Sequence, residues 1–67
     1  MSDTITYRVP GMHCGHCKAA VELEIAGIAR VESVEADLET KLVTVRGEAL
    51  DDEAIRTAIA EAGYEAD

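Results

Sequence analysis

The apolar positions of this chain follow two spacings in turn, and each stretch closes at a turn or cap signal. From Thr4 to Val9, Ile5, Tyr7 and Val9 alternate with polar neighbours, the period of a half-buried strand, which Pro10-Gly11 ends. From about Gly15 to Ala26 the spacing lengthens. Cys17, Val21, Ile25 and Ile28 recur at intervals of four, four and three on one helical face, with Gly27 near the stop and Leu23 off the stripe. Ser33 to Leu38 alternates again through Val34, Ala36 and Leu38, and Leu42 to Arg46 through Val43 and Val45. With Glu39-Thr40-Lys41 as the turn, these two segments predict a hairpin. Asp51 then suits a helix N-cap, Leu50 and Ile55 the hydrophobic-staple positions, and Asp52 and Glu53 the positive helix end. The helix it opens is expected to bury Ile55, Ala58, Ile59 and Ala62 and to close at Gly63, where a left-handed cap is wanted. Tyr64-Glu65-Ala66 remain as a short last strand.

Strand, helix, strand, strand, helix, strand is the split βαβ order of an α+β, ferredoxin-like open-faced sandwich: a four-stranded antiparallel sheet with both helices on one face. The other face stays in water, where Glu35, Asp37 and Arg46 point. With no linker, low-complexity tract or repeat, residues 1–67 are expected to form one domain. A domain this small hides only about 60% of its unfolded surface, so a bound metal would add usefully to its stability. Hydrophobic residues make up 48% of the chain, yet Tyr7 and Tyr64 are the only aromatics. So thin an aliphatic core hardly supplies walls for a deep pocket, which points to a surface site. With no paired-carboxylate, Ser/His/Asp or phosphate-loop arrangement either, the chain does not read as an enzyme.

Charge narrows the partners. Six basic and fourteen acidic residues give a formal net charge of −8, which repels nucleic acid and anionic lipid. Residues 1–31 are balanced, with Asp3, Glu22 and Glu24 against Arg8, Lys18 and Arg30, so the excess falls on residues 32–67. No apolar run approaches the roughly 20 residues of a membrane span, and the first residues do not read as a leader. The expected setting is the cytoplasm. In that reducing compartment two cysteines bind metal or do redox work more often than they staple a fold.

Those cysteines lie in Gly11-Met12-His13-Cys14-Gly15-His16-Cys17, between the first strand and the first helix. Two thiols three positions apart, one in the loop and one in the first helical turn, can aim both sulfurs at one point. Free backbone N–H groups and the helix dipole there favour thiolate, the form that binds metal or attacks disulfides. Structural zinc takes four ligands as a rule, whereas Cu(I) is content with two or three, so Cys14 and Cys17 suit Cu(I) best. A site left open on one side also lets a second protein's thiolates enter before the first pair leaves.

Gly11-Met12-His13-Cys14-Gly15-His16-Cys17, followed by Ala20-Val21, Val31-Glu32-Ser33-Val34, Val43-Thr44-Val45 and Gly63-Tyr64, resembles the heavy-metal-associated domain family and its bacterial copper chaperones over nearly the whole chain. The resemblance implies a ferredoxin-like fold, Cu(I) held by Cys14 and Cys17, and delivery to the metal-binding domain of a P-type copper-transporting ATPase or to a copper sensor. It also places Tyr64 facing the metal loop, where its hydroxyl shields or hydrogen-bonds a sulfur or, on the competing reading, its ring simply packs. Two departures stand out. Ala29-Arg30 occupies a position where members often read Pro-Gly, which puts that loop's conformation in question. His13 stands where zinc- or cadmium-handling relatives tend to carry an acid, which tilts the choice toward copper.

The remaining candidates each have a structural reading. Met12 is expected to plug the core beneath the loop rather than offer its thioether. His13 and His16 are either third ligands or solvent-exposed, with exposure the expectation. Lys18 is either a charge partner for the thiolates or a solvated helix residue. The main rival function is thiol–disulfide exchange, since Cys14-Gly15-His16-Cys17 spells the CGHC of disulfide isomerases. Against it, His13 stands where thioredoxin-type enzymes usually place an aromatic, and Pro10 is the sole proline. Two further rivals are zinc or mercury handling by the same fold and a domain cut from an ATPase. The apo protein is expected to be a monomer, with a copper-bridged pair open to it when loaded.

Overall fold

The computed structural model describes residues 3–66, which form β1 (Asp3–Arg8), α1 (Gly15–Ala26), β2 (Val31–Asp37), β3 (Leu42–Gly47) and α2 (Asp52–Glu61). The elements fall where the spacing predicts them, with ends shifted by a residue or two. In the sheet, β3 lies between β1 and β2 and is antiparallel to both, in the order β1-β3-β2. Alternation then sorts the side chains. Tyr7, Ala36, Val43 and Val45 are buried on one face, and they join Val21 and Ile25 of α1 and Ile55, Ala58 and Ile59 of α2 in a single core. Thr4, Thr6, Glu35, Asp37 and Arg46 are exposed.

Local chemistry explains the boundaries. The Asp51 side chain accepts the N–H groups of Glu53 and Ala54 and so caps α2. Asp37 accepts the N–H groups of Glu39, at 2.8 Å, and Thr40, at 3.4 Å, and builds the turn between β2 and β3. Val31 and Val34 both pack on the core although they are three apart. A bulge between Val31 and Ser33 makes this possible by inserting one residue and restoring the inward phase. Next to it Arg30 holds a left-handed φ of 75°, so this chain keeps a turn suited to glycine with an arginine in it. Gly47 faces that turn so closely that a Cβ would lie 2.1 Å from the Arg30 carbonyl oxygen.

One expectation is corrected. Among the described residues the sheet has three strands, not four, because Tyr64-Glu65-Ala66 forms none. Gly63, at φ 96°, donates to the Ala60 carbonyl and Tyr64 donates to that of Ile59, so the first amide of the segment is taken up in capping α2. Ala62, expected in the core, is only half-buried at this helix end.

Candidate metal centre

The cysteine loop is built by the end of the sheet. Arg8 pairs with Leu42, so the chain leaving β1 runs beside the turn between β2 and β3. The Val9 N–H donates to the Lys41 carbonyl at 2.7 Å, and the Met12 N–H closes a tight turn on the Val9 carbonyl at 3.2 Å. Val9 and Met12 both have 0% exposure, which anchors the loop from below and leaves His13 and Cys14 at the surface. Cys14 is then the N-cap of α1. Its side chain makes no capping bond, while its carbonyl accepts the Lys18 N–H at 3.0 Å. Cys17, one turn on, is half-buried. Both cysteines are free thiols, and their sulfurs stand 3.1 Å apart.

The surroundings favour negative sulfur. The Tyr64 hydroxyl donates to Cys17 Sγ and does most to lower its pKa, followed by the Cys14 thiol and the backbone N–H groups of His13 and Cys14. Together they bring Cys17 from 9.0 to about 6, against a small opposing cost of burial. The same bond raises the Tyr64 pKa, because a phenol that donates to sulfur gives up its proton reluctantly. The Tyr64 ring lies over Gly11, where a Cβ would stand 3.4 Å from its Cδ1. At neutral pH, Cys17 is therefore mostly thiolate, with the exposed Cys14 beside it.

Of the other residues singled out in the sequence, Tyr64 joins the sulfurs and Met12 lies wholly inside the core. His13 and His16 are exposed, and among the described residues no group of three or more His, Cys, Asp or Glu side chains is placed to hold one ion. His13 contributes through its backbone N–H instead. Lys18 is half-buried. The sequence marks Lys41 only as a turn residue, yet its ammonium donates to the Met12 carbonyl at 2.6 Å. Only the pairing of Arg8 with Leu42, a long-range fact, reveals that contact. A cavity of about 350 Å³ lined by Arg30, Val31, Glu32, Glu48 and Ala49 lies at the other end of the sheet, where Asp3 pairs with Gly47.

Two adjacent thiols with an open flank suit a soft ion of low coordination number. At a metal–sulfur distance of about 2.3 Å, sulfurs on opposite sides of an ion stand up to about 4.6 Å apart, so an ion between these two would require the pair to open from 3.1 Å. Cys14, exposed and bound to no cap, is the side chain free to turn. The pair can also undergo thiol–disulfide exchange, because one thiolate beside one accessible thiol is what that chemistry needs.

Known proteins carry the same frame. Residues 6–65 match the heavy-metal-associated domain. Heavy metal-associated isoprenylated plant protein 31 of Arabidopsis thaliana is 34% identical over 67 residues, covering 100% of this chain and 48% of its own length. Copper chaperone CopZ of Staphylococcus aureus is 50% identical over 38 residues, 57% of this chain and 56% of that protein. The chain thus spans about half the length of the curated relatives it matches. Among solved structures, a CopZ metallochaperone superimposes with a TM-score of 0.92 at 33% identity, covering 97% of this chain and 100% of that one. Oxidized MerP from Ralstonia metallidurans CH34 gives 0.90 at 29% identity, with 100% and 96% covered. A copper binding domain from HMA7, a P-type ATPase, gives 0.89 at 28% identity, with 100% and 92% covered. The strand-to-helix cysteine loop, the ferredoxin-like frame around it and the match over residues 6–65 place this chain in the heavy-metal-associated domain family.

Proposed function

We propose that this protein is a cytoplasmic Cu(I) metallochaperone that holds the ion between Cys14 and Cys17 and passes it on by ligand exchange. The observation that carries the reading is the pair of sulfurs 3.1 Å apart, with Cys14 exposed at the mouth of α1. Donors gathered on Cys17 supply thiolate at neutral pH, and soft thiolate prefers Cu(I) to harder ions. Two sulfurs leave a flank of the ion uncovered. An incoming thiolate can bond there before either of the first two departs, so copper moves between proteins without being released to water. The acceptor is the metal-binding domain of a P-type copper ATPase or a copper sensor. Kinship with copper chaperones and with an ATPase copper domain supports both halves of this reading. Met12 supports the loop rather than binding metal, and a loaded pair of copies can share copper through their open flanks.

Anaerobic titration with Cu(I) against a competing chelator tests the site, alongside the Cys14→Ser/Cys17→Ser double variant. The wild type is expected to compete for copper and the variant to lose binding while keeping its fold. Efficient insulin reduction with weak copper binding would replace this reading with thiol–disulfide exchange, and a preference for zinc or mercury would reassign the cargo.

A further inference from the structure

The turn that launches Cys14 is gripped at both ends by one residue of the hairpin opposite. Lys41 accepts the Val9 N–H on its carbonyl at 2.7 Å, donates its own N–H to the Asp37 carbonyl at 2.9 Å, and places its ammonium on the Met12 carbonyl at 2.6 Å. We infer that Lys41 is a positioning residue for the metal loop, whose ammonium holds the backbone that carries Cys14 and Cys17 in place before the ion arrives, leaving the Cys14 side chain to turn on loading. The inference deepens the proposed function and, in its copper-binding part, rests on it.

The backbone at this position argues that the side chain matters. Lys41 has a φ of 65°, a region that glycine enters freely and an L residue enters at a cost. The turn alone would be served by glycine, and what lysine adds is a cationic arm long enough to cross to Met12. A hydrogen bond from a charged donor is among the stronger kinds, and this one is partly shielded from water. The next two amides after Met12, those of His13 and Cys14, donate to Cys17 Sγ. Freeing the Met12 carbonyl therefore loosens the donors that define the sulfur pair. Ordering lost in the apo protein must then be regained on binding, which weakens affinity by the same factor. For a bond of this class that factor is about tenfold.

Lys41→Met keeps the stem and the left-handed backbone but removes the donor, and Lys41→Arg keeps a cationic donor. Amide exchange in the apo protein is read at His13 and Cys14, with Val43 and Val45 of the central strand as internal controls, and Cu(I) affinity is read by chelator competition. In Lys41→Met, exchange at His13 and Cys14 is expected to quicken by about tenfold with Val43 and Val45 unchanged, the Cu(I) Kd to rise by about tenfold, and Lys41→Arg to restore most of both. Lys41→Gly, whose backbone suits the turn, should show the same losses without a folding defect. Wild-type exchange at His13 and Cys14 in Lys41→Met, or quickening shared equally by Val43 and Val45, would overturn the inference. A wild type that takes up no Cu(I) would instead sink the proposed function, and the exchange measurement would still decide the role of Lys41.

Discussion

Replacing Met12 with Ala removes Cγ, Sδ and Cε from a side chain with 0% exposure directly beneath the cysteine loop. Burying a methionine side chain contributes about 1.5–3 kcal/mol, and the cavity left behind brings the typical loss to about 2–5 kcal/mol. A chain of 67 residues has a total stability of only about 3–10 kcal/mol. At about 4–8 °C per kcal/mol for a domain of this size, the melting temperature should fall by roughly 8–40 °C. Met12→Leu keeps most of the volume and should cost less than about 1.5 kcal/mol. Thermal melts followed by circular dichroism, and Cu(I) competition measured well below the melting point, separate support from ligation. Met12→Ala should melt early yet bind copper nearly as tightly while folded. Copper at 100 times its Kd should then return about 2.7 kcal/mol of the lost stability. A variant that melts like the wild type but has lost its copper affinity would refute this reasoning and make the thioether a ligand.

Tyr64→Phe removes the donor that does most to acidify Cys17, so the midpoint for iodoacetamide labelling of Cys17 should climb from about 6 toward 9.0, as mass spectrometry across pH would read. Because the folded value lies below the unfolded one, the Cys17 thiolate adds stability in full above about pH 9 and loses it as pH falls through about 6; an unmoved midpoint in the variant would rule Tyr64 out as the cause. Gly47→Ala would place a Cβ 2.1 Å from the Arg30 carbonyl oxygen, so urea unfolding should show a loss of about 1–3 kcal/mol or more, with copper affinity of the folded protein unchanged. Arg30→Gly relieves a left-handed backbone and should gain about 0.5–1 kcal/mol, a few degrees in the melt; a loss would mean that contacts of the arginine side chain outweigh the backbone cost.

Most of the fold is legible in the sequence because it is local. A strand or helix exposes its period to the residues within it, so Ile5-Tyr7-Val9 and Val21-Ile25 declare their elements without reference to the rest of the chain. The same holds for the Asp51 cap, the left-handed Gly63 and the pairing of Cys14 with Cys17 across the first turn of a helix. Chemistry carried by neighbours in sequence can be read in sequence.

What only the tertiary structure decided involves groups far apart along the chain. Tyr64-Glu65-Ala66 reads as a strand, but its first amide closes α2, and a ladder needs a partner edge that no local pattern can supply. The bulge that turns Val31 and Val34 to the same side depends on how β2 registers against β3. Two further features answer to the same cause: the acidity of Cys17, set first by Tyr64, and the grip of Lys41 on Met12. Periodicity follows from backbone geometry within one element, whereas register and cross-chain hydrogen bonds exist only once the core has brought those elements together.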